Sequence, residues 1–153
     1  MKYACVRQHD KKDCGAACLA TIAKHYGLNM PIAKIRQLAS TDMLGTNVIG
    51  MVTAAEKLGF DAKAVNGSKK AFFSGFVVPA IAHVKLKSGF YHYIVIHKVT
   101  KKKIIVADPN QGVVNYSHEE FFAIWTGILI LMSPTSNFRK GNETENSFVR
   151  FAR

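Results

Sequence analysis

Two kinds of hydrophobic spacing divide this chain near Phe60. Before that residue apolar positions recur at intervals of three and four, the period of a helix face; after it they gather in short runs rich in β-branched and aromatic residues, separated by Gly, Ser or Lys. In the first half, "CGAACLATIAKHY" predicts a helix from Cys14 to Tyr26, with Asp13 as its N-cap and Gly27 in the left-handed position just past its end. Alanines at 16, 17, 20 and 23 permit close approach from several sides, so this helix is expected to be enclosed by the fold. "MPIAKIRQLAS" starts with a proline suited to a first helical turn, and "NVIGMVTAAEKLGF" keeps helical spacing up to Gly59.

In the second half, "FDAKAV", "VVPAIAHVKLK", "FYHYIVIHKV" and "KKIIVAD" predict an antiparallel sheet, followed by a short helix at "SHEEFFAIW" and a last strand at "GILILMS". The fold class is therefore α+β, a helical N-terminal half packed on an antiparallel sheet. The polar stretch "PTSNFRKGNETEN" has no periodicity, which places the folded unit at residues 1–134 and a tail or linker at 135–153.

At 153 residues, with 48% hydrophobic positions and a mean hydropathy of +0.04, the chain can bury a real core as one domain. No apolar run reaches the roughly eighteen residues of a membrane span, and the first six residues lack the apolar core of a secretory signal, so a soluble cytoplasmic domain is expected. Three cysteines, Cys5, Cys14 and Cys18, make neither a disulfide framework nor a metal site, and no metal or cofactor is expected. A net charge of +11 suits an acidic partner. The one tight lysine run, Lys101 to Lys103, falls in an expected hairpin turn, and no basic stretch is interleaved with aromatics as a nucleic-acid surface requires.

Position singles out one thiol. Cys14 heads its helix, where the free N–H groups and the helix dipole favour a thiolate, whereas Cys18 lies a turn inside and Cys5 in an apolar extended segment, both suited to packing. A buried cap-side cysteine is the competing reading. Gln8, six residues upstream, can donate to an oxyanion formed at a carbonyl that Cys14 attacks. A nucleophilic thiolate also needs a histidine and a group to orient it. If "FYHYIVIHKV" and "KKIIVAD" form a hairpin centred near Thr100, His92 falls opposite Asp108 and His97 turns to the other face; a second turn near Ser88 pairs His92 with Val84 and turns His83 away. A slip of one residue would reverse the assignment. His9 lies beside Gln8, and His25 and His118 sit near helix ends with ordinary cap or surface roles.

Taken together, "Q" six residues before "DCGAACLATIAKHYG", then "HYIVI", "VADP" and "FFAIWTGILILMSP" resemble the cysteine-peptidase domain at the N-terminus of bacterial bacteriocin- and peptide-exporting ABC transporters, over about residues 8 to 134. The resemblance implies a papain-like fold and a cysteine endopeptidase that removes double-glycine leaders from bacteriocin, lanthipeptide or pheromone precursors during export. It assigns Cys14 as nucleophile, His92 as general base, Asp108 as its orienter and Gln8 as oxyanion donor. It further implies a partner peptide with an amphipathic leader helix ending in Gly-Gly, and membrane and ATPase domains beyond "SFVRFAR", with ATP needed only there. The location implied is the cytoplasmic face of the membrane. A non-cleaving dock for export substrates is the alternative, separated from the peptidase by Cys14 and a competent His92. For the leader, Val48, Met51, Val52, Ala55 and Leu58 recur at helical spacing and are candidates for a groove, with plain core packing as the competing reading.

Overall fold

The computed structural model describes residues 2–39 and 46–142. Helix α1 (Cys14–His25) is the axis on which the rest is built, and every residue from Gly15 to Ala23 is buried. An enclosed helix needs small residues where its neighbours approach, and the four alanines supply them. The approach is closest at Gly15, where an added Cβ would stand 2.7 Å from Met51 Sδ. At the other end Gly27 takes the left-handed conformation, φ 101°, expected of a residue that stops a helix.

The N-terminus is capped differently from the sequence expectation. Asp10 caps a single 3-10 turn, Lys11–Asp13, and the Asp13 carboxylate reaches back to the Asp10 N–H to close a capping box. Asp13 therefore makes no side-chain cap on α1. Instead its buried carboxylate meets Arg36 Nε at 3.2 Å, which ties the start of α1 to the second helix.

After a two-residue strand β1 (Leu28–Asn29), helices α2 (Ile32–Leu38) and α3 (Val48–Lys57) pack against α1. Pro31 stands just before α2 as its N-cap rather than in its first turn. Asn47 caps α3 by accepting the Gly50 N–H at 2.7 Å, and Gly59 ends that segment at φ 102°.

The second half is a six-stranded antiparallel sheet: β2 (Phe60–Asn66), β3 (Ala80–Lys85), β4 (Tyr91–Val99), β5 (Lys103–Asp108), β6 (Gly112–Ser117) and β7 (Trp125–Pro134), in the order β2–β7–β3–β4–β5–β6. Ile81, Tyr93, Val95, Ala107, Ile130 and Met132 face the helices. Side chains of opposite parity, Ile94, Ile96, Ile104 and Val106 among them, pack on the far face with Phe72 of α4 (Lys69–Phe73) and Phe121 of α5 (His118–Ile124). Sequence reasoning omitted β6 and α4. The β6 segment "GVVNYS" does alternate, half-buried with exposed, but it is an edge strand with no apolar run to mark it.

Chain beyond Pro134, where the sequence pattern ends the folded unit, is still packed. Thr135 N–H donates to Gly59 O at 2.9 Å, the Phe138 ring lies 4.7 Å from that of Phe60, and β8 (Gly141–Asn142) pairs in parallel with β1. One aromatic side chain accounts for the difference, since a polar tail carrying a Phe can bury it against Tyr26 and Phe60. Phe138→Ala is accordingly expected to lower stability by about 2 kcal/mol, read as a shift in the urea midpoint at unchanged m; an unaltered midpoint would show that this segment adds nothing to the fold.

Candidate active site

The site is assembled by the registers of β4. On one side the β3–β4 pairing sets Val84 opposite His92, as the turn near Ser88 predicts. On the other side the hairpin differs from the expected register: Val99 pairs with Ile104 and Lys98 with Ile105, a slip of three residues that alone would turn Asp108 away from His92. A bulge at His97 corrects the parity, because beyond it Ile96 pairs with Val106 and Val95 with Ala107. Continued, this register sets Asp108 opposite Ile94, so His92 and Asp108 are diagonal neighbours on one face rather than a direct pair. Their side chains bridge that step, with His92 Nε2 2.8 Å from Asp108 Oδ1.

Both groups are buried. Burial works against charge on His92, but hydrogen bonds to Asp108 and Cys14 and the negative charges there outweigh it, and the imidazole pKa is pushed up to about 9. Asp108 shows the reverse balance. Burial raises its pKa, while His92, the Asn110 N–H at 2.8 Å and Gln111 Nε2 at 3.1 Å hold the carboxyl below its ordinary value. Because Nε2 of His92 is committed to Asp108, Nδ1 is the ring nitrogen left for the thiol of Cys14.

Cys14 is half-buried at the first residue of α1. Burial pushes the thiols of Cys18 and Cys5 up, Cys18 the more strongly, and Cys5 Sγ lies 3.7 Å from the Asp108 carbonyl. Neither has the exposure with low pKa that a reactive thiol needs. Gln8 is half-buried beside the turn after β5, with its N–H on Pro109 O at 2.9 Å. Its Nε2 donates to Asp10 O at 3.2 Å, which leaves the second amide hydrogen for another acceptor. The other strand histidines have partners elsewhere: His97 bonds Ala4 O on the α1 side, and His83 bonds Thr126. A thiol at a helix start, beside an imidazole polarised by a carboxylate, has the chemistry to attack a carbonyl.

The peptidase C39 family model matches residues 2–137. The chain belongs to the peptidase C39 family. It is 37% identical over 95% of its length to the lactococcin-G-processing and transport ATP-binding protein LagD of Lactococcus lactis, and 34% identical over 94% to the transport/processing ATP-binding protein ComA of Streptococcus pneumoniae. It spans about a fifth of the length of these relatives, 21% and 20%. Among solved structures, the peptidase domain of Streptococcus ComA, a bi-functional ABC transporter of a quorum-sensing pathway, superposes with a TM-score of 0.82 at 37% identity, covering 88% of this chain and 100% of that one. A double-glycine-motif protease from an AMS/PCAT transporter, in complex with a leader peptide, superposes with a TM-score of 0.80 at 27% identity, covering 88% and 93%.

In this C39 peptidase the expected leader stripe on α3 is largely interior. Met51 and Ala55 are wholly buried, Leu58 nearly so, and all three belong to the core under α1. Helical spacing marks a buried face without saying which neighbour buries it. Val48 and Val52 are half-buried, and Ile49, outside the stripe, is 77% exposed. Sequence reasoning also passed over Gln111 and Arg7, which hold the turn after Asp108 and carry no motif. Among the described residues no cluster of metal-ligating side chains occurs and no helix is long and apolar enough to cross a membrane.

The raised pKa of His92 fixes a pH dependence. Because the folded value of about 9 lies above the ordinary 6.5, the stability contributed by the protonated ring is complete below pH 6.5 and is lost as pH rises through about 9. NMR titration of the His92 ring is expected to show the imidazolium surviving well above neutrality, and Asp108→Asn is expected to bring its midpoint down. An ordinary midpoint in the unaltered domain would contradict the coupling.

Proposed function

We propose that this domain is a cysteine endopeptidase that cuts a precursor peptide after a Gly-Gly pair and so frees it from its leader. The observation that carries the proposal is the polarised His92, bonded to Asp108 through Nε2 at 2.8 Å, with its imidazole pKa pushed up to about 9 by Asp108 and Cys14 together. In this scheme the Cys14 thiolate attacks the carbonyl carbon of the second glycine, and the oxyanion that forms accepts a hydrogen bond from Gln8 Nε2. The His92 imidazolium gives its proton to the departing amine, leaving a thioester. His92, now neutral, takes a proton from water as it attacks the thioester, and the thiolate and imidazolium are restored. Asp108 remains ionised throughout and keeps the ring oriented.

Substrate and setting are proposed from the relatives, whose names join processing with transport, and from the neighbour bound to a leader peptide. Two glycines offer no apolar area, so affinity must come from the rest of the leader, as an amphipathic helix that lays its apolar face on the domain. On α3 the surface available to it is Ile49 with the half-buried Val48 and Val52. The proposed location is the cytoplasmic face of the membrane, as the first part of an exporter whose other domains bind ATP.

Cleavage of a leader–core peptide, followed by mass spectrometry, tests the proposal. Cys14→Ala is expected to abolish turnover and keep leader binding, and Gly-Gly changed to Ala-Val to stop cleavage; a Cys14→Ala variant that still cuts would end the mechanism. Gln8→Ala is expected to lower kcat by about 10²- to 10³-fold, the usual cost of one oxyanion donor, with KM little changed; a defect wholly in KM would make Gln8 a substrate contact. Leader apolar residues changed to Ser, or Ile49→Ser in the domain, are expected to raise KM without lowering kcat. Equal cutting of unrelated unfolded proteins would indicate a general protease.

A further inference from the structure

The turn after β5, Asp108–Gly112, is held from two sides. Within the turn, Asn110 N–H and Gln111 Nε2 bond the two oxygens of the Asp108 carboxylate, and Gln111 N–H bonds the Asp108 carbonyl at 3.1 Å. From outside, the extended segment before the 3-10 turn takes the next two carbonyls. Pro109 O accepts both the Gln8 N–H at 2.9 Å and Arg7 Nε at 3.2 Å, and Asn110 O accepts Arg7 Nη2 at 2.6 Å. The guanidinium also lies against Gly112, where a Cβ would meet Nη1 at 3.5 Å. Gly112 has φ 101°.

We propose that Arg7 is a positioning residue for the peptidase reaction, its planar fork locking the turn that aims Asp108 to the segment that carries Gln8. Two groups that must act on one reacting carbonyl, Gln8 directly and Asp108 through His92, lie a hundred residues apart in the sequence. Backbone pairing of Gln8 with Pro109 is a single bond between them. Arg7 adds two more, to adjacent carbonyls, in a geometry that a fixed fork of donors satisfies and a single ammonium does not. Its hydrogen-bond partners here are carbonyls rather than a carboxylate, and it is exposed at the surface. Misplacement of a group that orients the base is felt in the rate and not in substrate affinity. This inference rests on the cysteine-peptidase reading of the same site.

The test compares Arg7→Met and Arg7→Lys with the unaltered domain in leader–core cleavage across pH, with Cys14→Ala alongside. Both Arg7 variants are expected to lose on the order of ten-fold in kcat at nearly constant KM. The alkaline limb of kcat/KM is expected to move down from about 9 toward 6.5, as a loosened Asp108 stabilises the imidazolium less. Thermal midpoints should remain close to that of the parent. Should Arg7→Met fail to fold, Arg7→Lys, which keeps stem and charge, decides alone. Parental kcat and an unmoved limb in Arg7→Lys would overturn the proposal, as would a defect confined to KM. Cleavage by Cys14→Ala would instead defeat the underlying mechanism; an inactive Cys14→Ala with unimpaired Arg7 variants defeats only the role of Arg7.

Discussion

The pairing of β4 with β5 is the constraint on which the site depends. Two strands joined by a short turn have only two parities, and one of them sends His92 and Asp108 to opposite faces of the sheet. The turn itself selects the wrong one, with Val99 opposite Ile104. The extra residue at His97 restores the right one, and His97 is held in place by the Ala4 carbonyl and the rings of Tyr3 and His25. A contact at the far end of α1 thus sets the register that brings an imidazole to a carboxylate at the near end.

Charge at the site is stable because each buried group has its partners. A carboxylate as enclosed as Asp108 would ordinarily take up a proton, yet three donors hold it ionised, and its charge in turn favours the imidazolium. The thiol meets this ring from the start of a helix that the fold surrounds on all sides, so its position is fixed by the packing of Gly15 against Met51 and Tyr93. The core beneath α1 and the chemistry at its end are one arrangement.

Much of this was legible in the chain because local rules agreed with the global fold. Alanine spacing foretold the enclosed α1, Gly27 and Gly59 marked helix ends, and the Cys14, His92 and Asp108 set could be drawn from helix position and strand parity. The parity succeeded through two cancelling departures, the slipped turn and the bulge, and a bulge at a histidine in an apolar run leaves no mark in hydrophobic pattern. Asp13 was misplaced for a different reason. A cap residue is defined by backbone angles, and a carboxylate next to a helix start can close the preceding turn instead. Met51, Ala55 and Leu58 show the limit of periodicity, which reports that a face is covered and not whether core or ligand covers it.

The central claim is that the Cys14 thiolate, activated by His92, attacks the carbonyl of the second glycine. Its most direct measurement is covalent trapping with a leader peptide ending in a Gly-Gly chloromethyl ketone, which alkylates a thiolate irreversibly with loss of chloride, read by intact mass and peptide mapping. The account predicts one equivalent of adduct, located on Cys14, formed far more slowly in His92→Ala. Modification at Cys5 or Cys18, or inhibition of cleavage while Cys14 stays unmodified, would contradict it.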